Sequence, residues 1–128
     1  MKTKGNRTLL VSDATLFAGM PPGEYQNNIG GTVVVDAMKR VAMKNSPGLL
    51  AGAGKSLLEG IEYLIQHKVA TLGDAWQMAS VNVFNMLKEN CLKLPAGYSE
   101  DRVLFSVSKN GIAIFATIKN GKIIIAPE

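Results

Sequence analysis

The sequence predicts an α/β fold, and three patterns within its 128 residues support that prediction. Residues 8–11 form a short apolar run without alternation, which is typical of a strand covered on both faces. Apolar residues between positions 57 and 65 recur at helical spacing. The last third of the chain alternates as strands do, with Asn-Gly pairs between the strands. With 47% hydrophobic residues, a chain of this length can bury a core.

The segment after the first strand combines a loop with a hairpin. Residues 18–25 have the Pro and Gly density of an ordered loop. Residues 32–35 are β-branched and lead into Asp36, after which residues 41–43 can return as a partner strand. We therefore expect a two-stranded hairpin within residues 31–45.

Two helices are predicted to follow the hairpin. Residues 56–67 carry a single apolar stripe and so predict an amphipathic helix. Thr71 and Asp74 resemble a capping box at the start of a second helix, which is expected to continue to about residue 88. The side chains expected on its buried side are Ala75, Met78, Ala79, Val83 and Met86.

The C-terminal residues predict an antiparallel meander. Its strands are expected at residues 102–107, 112–118 and 122–125. The Asn-Gly pairs at 110–111 and 120–121 can adopt positive φ angles at both central positions of a tight turn. The strand at 8–11, by contrast, lacks a parallel neighbour, because no crossover unit precedes it. We therefore expect that part of the fold lies upstream of this chain.

Composition argues against several classes of protein. The net charge is +4, but the basic residues are spread along the chain and aromatic residues make up only 6%, which disfavours a nucleic-acid-binding surface. A single cysteine, Cys91, cannot form an internal disulfide, so we expect a reducing, cytoplasmic location. No apolar run approaches the length of a membrane span, so we expect no membrane partner.

The stretch PGLLAGAGKS, residues 47–56, ends like the phosphate-binding loop of nucleotide-binding proteins. In the pattern G-x-x-x-x-G-K-[ST] the first glycine should stand at position 49, where Leu49 lies instead. Residues 45–47, Asn-Ser-Pro, precede it and are typical of a turn rather than of a buried strand. Nucleotide binding at residues 52–56 is therefore the last of three hypotheses.

Five segments together resemble the closing part of the N-acetylglucosamine-6-phosphate deacetylases of the amidohydrolase superfamily. They are LVSDA (10–14), AGMPPGEY (18–25), GLLAG (48–52), AWQMASVN (75–82) and LPAGYSED (94–101). The resemblance implies the C-terminal fragment of a (β/α)8 metal-dependent hydrolase barrel plus part of a small β-sandwich domain. Residues 1–30 would hold the last barrel strand and its loop, and residues 31–45 a sandwich hairpin. Residues 46–92 would form a barrel-side loop and two helices, and residues 93–128 the sandwich meander.

The same resemblance implies site residues. Asp13 would correspond to the family's catalytic aspartate, and its place just after a predicted barrel strand suits that role. The alternative from the residues alone is that Asp13 caps the following turn. Leu50, Ala51 and Gly52 would match a loop whose backbone helps to hold an amino-sugar substrate. The glycines would permit close backbone approach to a ligand or to the barrel.

A divalent, zinc-type metal is implied for the complete enzyme, but this chain has one histidine and no expected ligand set. His67 is expected to interact with carbonyls at a helix end instead. We therefore expect the isolated chain to be inactive. Whether it is to be classed as an enzyme stays open, because the metal ligands of the parent family are not expected in this chain. The second hypothesis is a non-catalytic domain that self-associates as a homo-oligomer through its unpaired strand.

Overall fold

The computed structural model describes residues 7–28, 30–89 and 101–125. The chain divides into two compact units, Met1–Ala79 and Ser80–Glu128. Cys91 and residues 94–100 of the fifth motif lie outside the described residues. No helix in the described ranges has both the length and the apolar character needed to cross a membrane.

The first unit contains a four-stranded antiparallel sheet. Its strands, in spatial order, are β1 (Gly23–Asn27), β2 (Gly31–Val35), β3 (Arg40–Met43) and β4 (Ser46–Ala53). The predicted hairpin is confirmed, because β2 and β3 pair from Val33 opposite Met43 to Val35 opposite Val41. The predicted loop at residues 18–25 is wrong in part, because β1 begins within it at Gly23. β4 forms at the start of the 46–92 segment, where a barrel-side loop was expected, so the hairpin is extended on both sides.

One hydrophobic core cluster of this unit lies on one face of the sheet. Val33, Val35 and Val41 are almost fully buried together with Phe17. The two valines of β2 are separated by two positions, so they point to the same face. Phe17 contributes from the segment before β1, and its ring lies 5.7 Å from the ring of Tyr25 on β1.

Helices α1 (Leu57–Gln66) and α2 (Leu72–Ala79) complete the first unit, and both N-terminal caps form. Ser56 Oγ accepts from the Glu59 N–H at 3.2 Å, and Glu59 accepts from the Ser56 N–H at 2.8 Å. Thr71 Oγ1 likewise accepts from the Asp74 N–H at 3.2 Å. The Asp74 carboxylate, however, accepts from the Thr71 hydroxyl at 2.7 Å, so the reciprocal bond to the backbone that we predicted is replaced.

The second predicted helix is two helices. α2 ends at Ala79, and α3 (Val81–Glu89) belongs to the second unit. The Phe84 N–H donates to the Ser80 carbonyl at 2.9 Å, and serine is a favourable residue at the start of a helix, so a new helix begins at 81. Ala75 and Met78 are buried as predicted, whereas Met86 is 39% exposed.

The strand predicted at residues 8–11 is wrong for this chain. The segment joins no sheet among the described residues, because no strand there receives its N–H and C=O groups. It lies instead along the helices: the Leu10 N–H donates to the Met78 carbonyl at 3.0 Å. Leu10 also packs over Gly60 of α1, where an added Cβ would lie 3.6 Å from its Cδ2. Val11 remains 72% exposed, so this segment is not covered on both faces.

The second unit contains the predicted meander, formed by β5 (Arg102–Ser108), β6 (Gly111–Lys119) and β7 (Lys122–Ile125). Its second turn is confirmed: Asn120 and Gly121 hold φ angles of 50° and 73°. The first turn differs from the prediction, because Ser108 pairs with Gly111 and residues 109–110 are therefore central. Gly111, with φ of 122°, follows the turn instead of lying within it.

Candidate functional site

The two parts of the predicted site lie next to each other in the structure. Asp13 and the predicted loop at 50–52 are joined through Ala53, which pairs with Ala14 in an isolated parallel bridge. The Ala53 N–H donates to the Asp13 carbonyl at 2.8 Å, and the Thr15 N–H donates to the Ala53 carbonyl at 3.0 Å. Residues distant in sequence therefore form one local structure.

Asp13 occupies a left-handed backbone conformation, with φ of 51°. Aspartate is one of the few residues that tolerate this region. Its side chain is exposed and, within the ranges that the structure describes, forms no hydrogen bond or ion pair. The turn is held instead by Ser12, whose Oγ accepts from the Ala14 N–H at 3.2 Å. The carboxylate of Asp13 is therefore available to a ligand, and the turn-capping alternative has no support in this geometry.

A β-bulge forms in β4 at the predicted substrate-binding residues. Arg40 pairs with Ala53 and Ala42 pairs with Leu50, so two residues of β4 oppose one residue of β3. The two residues are Ala51 and Gly52, and Gly52 has φ of 101°. Bulges occur frequently beside active sites, because they leave one residue out of the ladder and redirect the strand.

The three predicted substrate-binding residues face different surroundings. The side chain of Leu50 is 59% exposed. Ala51 packs against the core cluster around Val33. Gly52 lies against the Asp13 turn, where a Cβ would come within 2.4 Å of Thr15 Cγ2. The backbone groups of the bulge and the Leu50 side chain are therefore the parts of this segment that could contact a ligand.

A charged network fixes the connection from β4 to α1. The Gly54 N–H donates to the Lys39 carbonyl at 3.0 Å, and Lys39 Nζ lies 2.7 Å from Glu59 Oε1. The hydrogen bond from Lys39, together with the bond from the Ser56 N–H, lowers the pKa of Glu59 from its ordinary 4.5 to about 2. Glu59 is therefore ionised at neutral pH and links the sheet to the helix.

The same contacts bear on nucleotide binding. A phosphate-binding loop needs free backbone N–H groups. Here the N–H groups of Ala53, Gly54 and Ser56 donate to protein acceptors. The strand before them, β4, is antiparallel to its neighbour. This geometry does not favour the nucleotide-binding hypothesis.

The described residues do not supply a metal site by themselves, because no group of three or more His, Cys, Asp or Glu side chains gathers within those ranges. The predicted helix-end role of His67 is confirmed: its Nδ1 lies 2.9 Å from the Tyr63 carbonyl, and its ring stacks on Tyr63 with centroids 3.9 Å apart. A metal of the kind that the resemblance implies would need ligands from outside the described residues.

Sequence reasoning missed two residues of the site, Thr15 and Ala53. Both act through main-chain hydrogen bonds, and Thr15 also fills the space above Gly52. No local pattern marks such residues, since their role depends on a contact between distant segments. The one available signal was a glycine inside a strand, which often marks a bulge or a close backbone approach.

Comparison with known proteins agrees with this fold. No family model matches the chain. The crystal structure of N-acetylglucosamine-6-phosphate deacetylase from Pasteurella multocida superimposes with a TM-score of 0.72, over 98% of this chain and 32% of that chain, at 20% sequence identity. The chain therefore has the fold of the matching part of that structure.

Two curated relatives make the relationship more specific. The N-acetylglucosamine-6-phosphate deacetylase of Vibrio furnissii is 37% identical over 76 residues, which is 59% of this chain and 18% of that protein. That of Lysinibacillus sphaericus is 31% identical over 116 residues, which is 90% of this chain and 28% of that protein. The chain is related to the N-acetylglucosamine-6-phosphate deacetylases and spans less than a third of the length of these relatives.

Proposed function

We propose that this chain acts as the segment of an amino-sugar deacetylase that carries the catalytic aspartate and part of the substrate-binding surface. The observation that carries this proposal is the meeting of Asp13 with the β4 bulge at residues 51–52. An exposed carboxylate that has no partner among the described residues then lies beside backbone groups that are free of regular strand pairing. The relationship to deacetylases supplies the reaction class.

In this proposal Asp13 acts as general base and then as general acid. Water attacks the acetamide carbonyl carbon, and Asp13 accepts the proton that the water loses. The C–N bond then breaks, and Asp13 donates the proton to the departing amine, so that the products are acetate and the free amino sugar. Leu50, Ala51 and Gly52 hold the sugar through the backbone of the bulge. A divalent, zinc-type metal would polarise the carbonyl, but its ligands would come from outside the described residues.

We further assign the elements to two parts of the larger enzyme. The segment before β1 and the helices α1 and α2 would pack on the barrel side. The hairpin of β2 and β3 and the meander of β5 to β7 would belong to the β-sandwich. β4 pairs with the hairpin, so we extend the sandwich assignment to it. The complete enzyme is proposed to be cytoplasmic, and the isolated chain to be inactive.

The test is a chimera in which this chain replaces the matching segment of the Lysinibacillus sphaericus deacetylase. We expect acetate release from N-acetylglucosamine-6-phosphate by the chimera and none by the isolated chain. Asp13→Asn should lower kcat by at least about 100-fold, which is typical of losing a general acid or base. Asparagine also tolerates the left-handed backbone, so the fold is retained.

Glu24→Gln serves as the matched control, because Glu24 is an exposed carboxylate on β1 that pairs with Lys44. It should leave kcat within about twofold, as expected for a surface ion pair. Full activity of the Asp13→Asn chimera would contradict the catalytic assignment. Deacetylation by the isolated chain would contradict its assignment as an incomplete segment.

The self-association hypothesis is favoured by one observation. Val11 and Leu16, on either side of Asp13, are 72% and 75% exposed. Exposed apolar side chains of this kind are covered in many proteins by a partner surface. Sedimentation at micromolar concentration tests this hypothesis: a dimer that dissociates on Leu16→Gln supports it, and a monomer contradicts it.

A further inference from the structure

We propose that Gly52 is a positioning residue for Asp13: it keeps open the space in which the turn at residues 13–15 seats on β4. This inference rests on the proposed function only in giving Asp13 its catalytic role. The close approach at the Cα of Gly52 is made by the Asp13 segment itself, while the backbone groups of the bulge remain the proposed contact to the sugar.

The space above Gly52 is filled by the Asp13 segment. A Cβ at this position would lie 2.4 Å from Thr15 Cγ2, 3.0 Å from the Asp13 carbonyl oxygen and 3.8 Å from Asp13 Oδ2. Contacts below about 3 Å between such atoms require a displacement, because packed interiors leave no room for them. The Asp13 carbonyl cannot move away without weakening its 2.8 Å hydrogen bond from the Ala53 N–H.

The backbone of Gly52 adds a second requirement. Its φ of 101° is a conformation that side chains other than hydrogen rarely allow. Comparison with two other glycines distinguishes the effect of this backbone strain from the effect of the steric contact. Gly31 has φ of 87° but open space around its Cα, and Gly48, also on β4, has open space and no positive φ. Only Gly52 among these three combines the strained conformation with a filled space.

The arrangement holds the main chain of Asp13 and leaves its side chain unpaired. Two hydrogen bonds and the Thr15 contact fix the turn against β4. The carboxylate projects from a fixed backbone without a protein partner in the described ranges. Preorganisation of this kind places a proton-transferring group without neutralising it.

Amide hydrogen exchange on the isotopically labelled full chain tests the inference without any catalytic assay. In Gly52→Ala we expect exchange at the Thr15 and Ala53 amides to accelerate by about tenfold or more, as local strain of this size implies. The carboxyl-carbon resonance of Asp13 should shift at constant pH. Exchange of the β1 amides should stay unchanged, because β1 pairs with β2 and not with β4.

Gly31→Ala and Gly48→Ala are the matched controls and should leave the Thr15 and Ala53 amides within about twofold of the parent chain. The double variant Gly52→Ala with Thr15→Ser removes the methyl group at 2.4 Å and keeps the Thr15 N–H bond. It should restore part of the lost protection and return the Asp13 resonance toward its parent position, because the φ strain and the 3.0 Å contact with the Asp13 carbonyl remain. If Gly52→Ala alone does not fold, recovery of a folded spectrum in the double variant supports the inference.

Three results would overturn it: unchanged exchange at both amides in Gly52→Ala, equal acceleration in Gly31→Ala, or no recovery in the double variant. These outcomes are independent of deacetylation. An active Asp13→Asn chimera would therefore refute the catalytic role while the exchange data still decide whether Gly52 positions the turn.

Discussion

The network of Lys39, Glu59 and Ser56 predicts a measurable change in unfolding free energy when the charge of Glu59 is removed. Glu59→Gln keeps an oxygen that can accept from the Ser56 N–H, so the capping box survives. It removes the ion pair with Lys39 at 2.7 Å and the negative charge at the helix N-terminus. The variant therefore isolates the contribution of the charge.

The lowered pKa of Glu59 sets an upper limit on that contribution. The difference between 4.5 and about 2 corresponds to about 3 kcal/mol of unfolding free energy at roughly 1.4 kcal/mol per pKa unit. Part of that stabilisation comes from the Ser56 bond, which glutamine retains. The side chains of Lys39 and Glu59 are also 50% and 33% exposed, so solvent screens the pair. We expect Glu59→Gln to cost about 1 kcal/mol at pH 7.

The pH dependence of this cost has a defined sign. The pKa of Glu59 is lower in the folded than in the unfolded chain, so its stabilisation is complete above pH 4.5 and is lost as the pH falls toward 2. The parent and Glu59→Gln should therefore converge in stability near pH 2. Urea unfolding followed by the fluorescence of Trp76, the only tryptophan, reports on the unit that contains Glu59. A difference in unfolding free energy that is absent at pH 7, or equally large at pH 7 and pH 2, would show that the Glu59 charge does not provide this stabilisation.

Three further predictions concern local structure. Thr71→Ala should cost the first unit about 1 kcal/mol, because the cap of α2 is lost, while Thr71→Ser should cost much less; urea unfolding measures both. Gly121→Ala should cost the meander about 1 kcal/mol of stability and so lower its melting temperature, because φ is 73° at this position. Gly48→Ala, at a position with open space and no positive φ, should not lower it. The Arg40 hydrogen bonds lower the pKa of Asp36, so Asp36→Asn should weaken the β2–β3 hairpin at pH 7 and converge with the parent below pH 3.8, as amide exchange can measure.

Elements with strong local signals could be predicted from the sequence. The cap at Ser56 and the apolar stripe after it define α1, and both form as expected. The turn at Asn120 is likewise encoded locally, because asparagine and glycine accept the positive φ angles that the turn requires. In each case the residues that decide the structure lie within a few positions of one another.

Elements that depend on distant partners could not be predicted. β4 contains Pro47, Gly48 and Gly52, which are unfavourable in most strands. It is an outer strand of the sheet, where a missing N–H and a bulge are tolerated. Residues 8–11 show the opposite case: their composition favours a strand, but a strand requires a neighbour to pair with. For the candidate site, the sequence and the family resemblance predicted Asp13 and residues 50–52, which stay predictions as site residues, but not the Ala53 bridge between them.

The bulged pairing of β3 with β4 affects how the register of β4 is fixed relative to Asp13. β4 pairs with β3 at only three positions with two shifts between them, and Leu49 and Leu50 of β4 are mostly exposed. Burial of side chains therefore selects weakly among alternative alignments of this strand. A slip by one residue would bring an alanine beneath Thr15, where no methyl group fits. The turn at residues 13–15 therefore favours the alignment of β4 in which Gly52 lies beneath Thr15. The backbone of Asp13 is held against β4 only in that alignment.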